Sequence, residues 1–333
     1  MAYRPLVSVI LPARNCGSYL GQAVGSVLTQ TFEDFEILVI DDGSDDGSIE
    51  TLGRDDHRLK VIKNPGSGLV DALNAGFKTA SGRYLARMDG DDICHPSRLE
   101  LQVDSLHNNP QIGVTATQVE VIGDGRPAEG YRLYEAWINS VLTPDDIRRE
   151  IYIESPLPHP TVMMRADVYK KLGGYRDMGW PEDYDLWLRA NEAKVEMGKI
   201  GRKLLKWRDS GSRLSKTDER YSRKNFMRVK AHFLARAMAK KTRPVIWGAG
   251  KTGGLLARLL NHEGAEISGF IDINRRKIGR VKANKPVFGP DKAREIDDTL
   301  ILVAVAARGA RDTIRDFLTS CGKVEGTDYY CVV

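Results

Sequence analysis

The sequence predicts an α/β protein built on a parallel sheet, and three observations carry that prediction. Short apolar runs begin at Val7, Phe35, Leu59 and Tyr84, about 24–28 residues apart. Between them apolar residues recur at helical spacing, as at Leu20, Val24, Val27 and Leu28, and again at Leu69, Leu73 and Phe77. Strands alternating with helices mean helical crossovers between parallel neighbours. Third, the chemistry-bearing residues cluster where those strands end: Pro12 after the first, Asp41 and Asp42 after the second, Asp89 and Asp91 after the fourth. In open α/β sheets ligands bind beyond the carboxyl ends of the strands.

The chain has 333 residues, more than one hydrophobic core usually serves, so two domains are expected. A hydrophobic fraction of 41% and a charged fraction of 29% describe an ordinary globular protein. No apolar run approaches the roughly 20 residues that span a bilayer, and no signal peptide opens the chain. Four scattered cysteines without a CxxC pair argue for a reducing cytoplasm and against structural zinc. The net charge of +5 is unevenly spread: Lys194–Arg243 holds 17 basic residues against 4 acidic ones. Such a block suggests an anionic partner: phosphates, an anionic membrane surface or nucleic acid. No nucleic-acid module accompanies it.

In order, Val7–Leu11 is a strand, and Asn15 is placed to cap the helix that follows. Phe35–Ile40 and Leu59–Ile62 are the next strands, and Gly66-Ser67-Gly68 turns into the second helix. The fourth strand starts at Tyr84 and runs into Asp89-Gly90-Asp91-Asp92, three carboxylates within four residues. Like charges that close repel and call for water or a cation. Asp is a hard oxygen ligand suited to Mg or Mn ions that also hold substrate phosphates. The plainer reading is an acidic turn ahead of the next helix, which starts near Pro96 and runs to about Asn108. Ile112–Thr115 and Val119–Ile122 read as further strands, and the stretch from Gly123 to Arg149 has no clear pattern. A strand follows His159-Pro160-Thr161. Glu182 and Asp183 then open a helix with Tyr184, Trp187 and Leu188 on its apolar stripe. Both acids suit the positive end of the helix dipole, and one of them can instead serve as a general base.

Two motifs mislead. Asp42–Gly47 starts like a calcium loop, but Gly53 stands where its bidentate Glu belongs. Gly248–Thr252 ends like a phosphate-binding loop, but Val245 stands at its first glycine.

Taken together, Val7–Asn15, Ser26–Phe32, Leu38–Ser44, Asp89–Asp92, His159–Thr161 and Glu182–Asp183 resemble the family 2 glycosyltransferases, over roughly residues 5–215. That resemblance implies a GT-A fold and a metal-dependent, inverting transfer from a nucleotide sugar, UDP-linked by preference. Pro12, Arg14, Asp41, Asp42 and Asp89 match nucleotide-binding positions, with Pro12 and Asp42 at the base. Asp89 and Asp91 match the DxD metal motif, with Asp91 the more direct ligand of Mn or Mg. Asp183 matches the catalytic base, with Glu182 as the alternative. His159 is either an acceptor-side contact or a neutral structural histidine. Many relatives carry a loop histidine after this helix, but Trp207–Ser215 has none. Arg208, Arg213 or Lys216 are the candidates to meet the diphosphate instead.

Thr217 to Lys240 reads as a basic amphipathic helix with Phe226, Val229, Phe233 and Ala237 on one face. It is either a linker packed on protein or a surface for an anionic membrane. From Arg243 a small Rossmann-like module is expected, with Gly248–Gly253 opening a helix and Asp272 closing the next strand. It is short for a dehydrogenase, so bound NAD is the minority reading beside a binding or homo-oligomerising module.

The sequence thus divides into a catalytic domain over 1–215, a helical linker over 216–242 and a Rossmann-like domain over 243–333. The function it points to is glycosyl transfer onto a glycan or polyprenyl-linked acceptor, in the cytoplasm or at the inner membrane face. The alternative is a non-catalytic nucleotide- or glycan-binding protein on the same fold.

Overall fold

The computed structural model describes residues 4–53, 55–123, 129–209, 213–238, 243–296 and 299–333. They form two compact units. The first comprises Met1–Ile147, Pro156–Met178 and Glu182–Thr217; the second comprises Arg148–Ser155, Gly179–Pro181 and Asp218–Val333.

The first unit opens with β1 (Val7–Ala13), α1 (Tyr19–Leu28), β2 (Phe35–Asp41), β3 (Leu59–Lys63), α2 (Leu69–Thr79) and β4 (Tyr84–Arg87). It continues with β5 (Ile93–Cys94), α3 (Arg98–Asn108), β6 (Ile112–Ile122), α4 (Glu129–Ser140) and α5 (Pro144–Glu150), whose last turn lies in the second unit. β7 (Met163–Arg165), α6 (Ala166–Leu172), α7 (Glu182–Glu192), β8 (Glu196–Arg208) and α8 (Leu214–Thr217) complete it. The eight strands make one sheet in the order β3-β2-β1-β4-β7-β6-β8-β5.

As the sequence predicts, β1 through β4 are mutually parallel, with β1 in the middle and every residue of it buried. Burial on both faces explains its unbroken apolar run. Beyond β4 the sheet turns mixed, because β7 pairs antiparallel with both β4 and β6. A run of apolar residues does not encode strand direction, so the parallel pairing read from the alternating elements holds over β1–β4 and does not extend to this side. The two strands expected within Ile112–Ile122 are one, β6, irregular around Thr117 and Gln118 where it pairs with β8. Those polar residues interrupt the apolar pattern without ending the strand. The Thr117 amide bonds the Thr161 hydroxyl at 3.2 Å, and Gln118 Nε2 donates to the Asn139 carbonyl at 2.8 Å. Of the stretch that had no clear pattern, α4 and α5 are helical, and residues 124–128 lie outside the described set.

The second unit contains α9 (Arg223–Met238), β9 (Val245–Trp247), α10 (Lys251–His262), β10 (Gly269–Ile271), β11 (Val281–Lys282) and β12 (Lys285–Phe288). α11 (Lys292–Glu295), β13 (Ile301–Val303), α12 (Ala310–Ser320) and β14 (Tyr329–Cys331) follow. Its sheet order is β11-β12-β10-β9-β13-β14, parallel except for the β11–β12 hairpin. Ile153 joins Trp247, Ile271 and Leu318 in its core, and Arg315 bridges Glu150 (2.8 Å) and Glu325 (3.0 Å).

The basic helix departs from expectation. Asp218 caps a short 3-10 turn by accepting from the Arg220 amide, and α9 starts only at Arg223. Lys240, its expected end, lies outside the described residues. Val229 and Phe233 are buried as expected, but Ala237 is exposed, and Met227, Lys230, Ala231 and Leu234 are buried as well. Lys230 Nζ donates to the carbonyls of Ile153 and Val332, so one supposed surface cation is an interior strut.

Candidate active site

At the carboxyl end of the sheet, parallel pairing sets Ala13 beside Asp41, and the Asp42 amide donates to the Ala13 carbonyl at 2.9 Å. Pro12 is buried one residue earlier. Asp41 holds a turn: its Oδ1 accepts from the Ser44 amide at 2.8 Å. Asp42 is fixed from one side only. Its Oδ1 accepts from Asn64 Nδ2 (2.7 Å) and the Gly68 amide (2.8 Å), while Oδ2 faces Arg14 Nη1 at 3.6 Å. A carboxylate with one oxygen immobilised presents the other in a defined direction, which suits recognition of a base N–H. Asn15 does not cap α1 as expected. It lies in the left-handed region (φ 51°), and its side chain instead accepts from the Asp45 amide at 2.9 Å. That hydrogen bond ties the loops after β1 and β2 together.

The acidic loop follows β4. The Met88 amide still reaches the Ile10 carbonyl at 3.1 Å, so Asp89 leaves the sheet from a fixed start. Gly90 packs against the loop after β1: a Cβ there would come within 2.8 Å of Cys16 Sγ, so the thiol would have to move to admit a side chain. Asp89, Asp91 and Asp92 each offer an oxygen, all within 4.8 Å of one another. Burial and the neighbouring Asp89 charge push the Asp91 carboxyl up to about 6. The same two causes, with the Asp91 charge added, raise the Asp92 carboxyl well above the ordinary carboxylate range. Asp92 is 1% exposed; its Oδ1 accepts from the Arg208 amide at 2.8 Å and its Oδ2 has no partner among the described residues. Converging carboxylates with an orphaned buried oxygen fit a divalent cation. Sequence reasoning gave Asp92 no ligand role. The signal for it is the burial that the next residues, Ile93 and Cys94, impose by pairing with β8.

Arg208 braces this loop. Its Nε donates to the Asp91 carbonyl at 2.8 Å, its Nη2 to Gln22 Oε1 at 3.2 Å, and its guanidinium lies 4.1 Å from the Tyr19 ring centre. Arg213 sits over the Trp207 ring at 4.3 Å, and its charge acts to lower the Asp91 pKa. Lys216 pairs with Asp209 at 2.6 Å. Ser210, Gly211 and Ser212, in the loop that lacks a histidine, lie outside the described residues.

At the head of α7 the two acids part company. Glu182 is 1% exposed and lies 3.6 Å from His159 Nδ1. Asp183 is half-buried, with Oδ1 accepting from the Tyr184 amide at 2.7 Å. Asp185 pairs with Arg189 at 2.7 Å, and Arg189 donates to the carbonyls of Leu172 and Gly174, anchoring the helix. His159 is buried, its Nε2 is 2.8 Å from the Tyr175 hydroxyl, and burial followed by the Arg87 charge drives its pKa well down. It is a neutral interior residue that faces Glu182. Arg87, which sequence reasoning passed over, salt-bridges Asp89 at 2.5 Å from the last position of β4.

In the second unit, Asp272 accepts from the amides of Ala249 (2.9 Å) and Asn274 (2.8 Å) and from Lys277 Nζ (2.8 Å). Lys282 Nζ donates to the Ala249 and Gly250 carbonyls. Both charged groups are thus committed to the glycine turn.

A sheet that is parallel over β1–β4 and mixed beyond, with an acidic loop after its fourth strand, is the GT-A architecture. Solved structures agree on the fold. S. aureus TarS in complex with UDP-GlcNAc superposes with a TM-score of 0.55 at 20% identity, covering 78% of this chain and 73% of that one. The family model "Glycosyl transferase family 2" matches residues 8–173. EpsE of Bacillus subtilis, named as a glycosyltransferase, is 33% identical over 233 residues, 68% of this chain and 81% of its own. An uncharacterized glycosyltransferase of Haemophilus influenzae is 37% identical over 192 residues, 55% of this chain, and the match spans 59% of that protein. The chain belongs to the family 2 glycosyltransferases.

Proposed function

We propose that the first unit transfers a sugar from a UDP-sugar to a glycan or polyprenyl-linked acceptor, with a divalent metal and with inversion. The observation that carries this reading is the convergence of Asp89, Asp91 and Asp92 at the strand ends that also present Asp42. Among structural neighbours, S. aureus TarS was solved with UDP-GlcNAc and with UDP, which supports the choice of uridine.

Asp42 accepts a hydrogen bond from the base, with Pro12 and Arg14 beside it. Asp89 and Asp91 hold Mn or Mg, with Asp92 behind them. When bound, that ion supplies neutralisation of the charge developing on the departing diphosphate. Asp183, the more accessible acid at the head of α7, takes the proton from an acceptor hydroxyl attacking the anomeric carbon from the face opposite the leaving group. Glu182, buried against His159, orients rather than reacts. A single displacement inverts the anomeric configuration.

The second unit is proposed as a binding or self-association module rather than a dinucleotide enzyme. We place the protein in the cytoplasm, with reversible attachment to an anionic inner leaflet through the basic residues of Lys194–Arg243. Among the described residues no helix is long and apolar enough to cross a membrane.

The test is a panel of UDP- and GDP-sugars incubated with Mn and candidate acceptors, read as nucleoside diphosphate released. Metal-dependent release from a UDP-sugar is expected. Release that persists in chelator, or from GDP-sugars alone, would overturn the metal or the uridine assignment respectively.

A further inference from the structure

Between Asp272 and Asp291 the chain carries six cations, Arg275, Arg276, Lys277, Arg280, Lys282 and Lys285, and no acid. The fold turns this stretch into one edge of the second unit's sheet. Leaving β10, the Asp272 amide donates to the Phe288 carbonyl at 3.1 Å. The returning chain then joins β12. The Gly279 amide donates to the Val287 carbonyl and the Val287 amide to the Arg280 carbonyl, both at 2.9 Å. Ala283 and Asn284 close β11 on β12 from the left-handed region, with φ 47° and 58°, the geometry of a tight two-residue hairpin. β11 is the outermost strand.

This edge exposes both apolar and charged side chains. Three of the seven large apolar side chains exposed among the described residues lie on it: Ile273, Ile278 and Val281. Ile273, at 76%, and Val281, at 72%, are the most exposed of the seven. Single exposed aliphatic residues are ordinary, but a group of them on one short segment marks a contact surface. Val281 sits opposite Pro286 in the hairpin, so an apolar pair shares one side of it. The cations divide into two sets. Lys277 is held by Asp272 at 2.8 Å, Lys282 by the Ala249 and Gly250 carbonyls, and Lys285 by Glu266 at 3.7 Å. Arg275, Arg276 and Arg280 are exposed, and their side chains have no partner among the described residues.

We propose that the edge from Ile273 to Lys285 is a contact surface for an anionic phospholipid membrane. Ile273, Ile278 and Val281 enter the acyl boundary, and Arg275, Arg276 and Arg280 meet lipid phosphates. Aliphatic side chains this exposed stand out from the surface instead of lining a groove, which suits a deformable apolar medium. Guanidinium forks match phosphate oxygens. A second copy of the chain would bring the same positive charge against this edge, and β11, two residues long, is too short to template strand addition. Nucleic acid is disfavoured, because no aromatic side chain stands between Ile273 and Val287 to stack on a base. The edge lies outside Lys194–Arg243, so the inference does not depend on what that block binds.

Sedimentation of the full chain with phosphatidylcholine vesicles, with and without phosphatidylglycerol, tests this surface. Wild type should bind the anionic vesicles, weaken as salt rises and ignore the neutral ones. Arg275→Gln/Arg276→Gln/Arg280→Gln should bind the anionic vesicles about 100-fold less tightly, at about fivefold for each cation near the surface. Ile273→Ser/Val281→Ser, with the charge intact, should bind about tenfold less tightly. Melting temperatures check that both variants fold, as exposed positions should allow. A variant that melts early is replaced by its single substitutions, each expected to carry its share of the loss. Binding that the arginine variant keeps in full places the membrane contact elsewhere, as at Lys194–Arg243, and overturns this surface alone. Loss in the arginine variant but not in the aliphatic one overturns the insertion. A wild type with no preference for anionic vesicles overturns the proposal outright. Equally tight binding of a single-stranded oligonucleotide, lost in the same arginine variant, would overturn the choice of lipid.

Discussion

Asp183 and Glu182 are neighbours in sequence, and no pattern of residue types ranks them; burial does. Glu182 faces His159 in the interior, whereas Asp183 is partly open at the start of α7. Asp183→Asn should therefore lower turnover by about 10²–10⁴-fold, the usual size of a lost general base, while UDP affinity stays nearly constant. Isothermal calorimetry with UDP beside turnover assays separates the two effects, and a parallel loss of UDP binding would contradict the assignment. Another buried acid, Glu36, sets a pH limit. Burial alone would raise its pKa, but Lys60, Ser8 and Ser81 bond the carboxylate and lower it to about 2. A depressed carboxylate contributes stability that is present above its unfolded value near 4.5 and is lost as pH falls from there toward 2. The contribution is on the order of 3 kcal/mol. Glu36→Gln should flatten the acid limb of a Tm-against-pH curve, and an unchanged limb would remove Glu36 as its cause.

At the scale of elements, what the sequence made legible is what local pattern encodes. β1 to β4, α1 and α2 follow from apolar periodicity, and the strand ends carrying Asp42, Asp89 and Asp91 followed with them. Strand direction did not follow, because β7 reads the same whether it runs parallel or antiparallel to β4. Nor did the polar frame beneath the site, where Arg98 Nη2 donates to the Arg87 carbonyl at 2.7 Å and Gln102 Nε2 to the Thr161 carbonyl at 2.8 Å. Arg98 and Gln102 look like the wet face of an amphipathic helix until α3 is seen to turn them inward. Arg98→Met would leave the Arg87 carbonyl without its donor in a buried place. It should cost about 2–4 kcal/mol of stability and loosen the start of the acidic loop. Thermal unfolding and hydrogen exchange at Arg87–Asp92 test this. A Tm within a degree of wild type, with unchanged protection, would count against the frame.

For the molecule as a whole, the sequence pointed to a boundary near residue 215, and contacts drew the second unit differently. Arg148–Ser155 groups with it, placing Ile153 in its core, Tyr152 5.1 Å from Tyr330, and Glu150 on Arg315. Such long-range grouping leaves no mark on local composition. A chain ended at Thr217 would lose the partners of those residues. It should express poorly or unfold well below the full chain, whereas a cut placed in an independent linker would leave stability unaltered. The basic block is likewise less available than its charge suggests, with Lys230 inside and Lys216 paired. Sedimentation with anionic and neutral vesicles should still show salt-sensitive binding to the anionic ones, at roughly 1 kcal/mol per residue near the surface. No preference at low salt would leave membrane attachment without support.

The most direct test of the account is UDP binding by calorimetry, with Mn2+ or with chelator, in wild type and in Asp91→Asn. Metal-enhanced affinity in wild type, lost in the variant while metal-free affinity is retained, is the predicted result. UDP affinity that is indifferent to Mn2+ in wild type, or equally enhanced by it in Asp91→Asn, would contradict the claim that the acidic loop holds a metal for the nucleotide diphosphate.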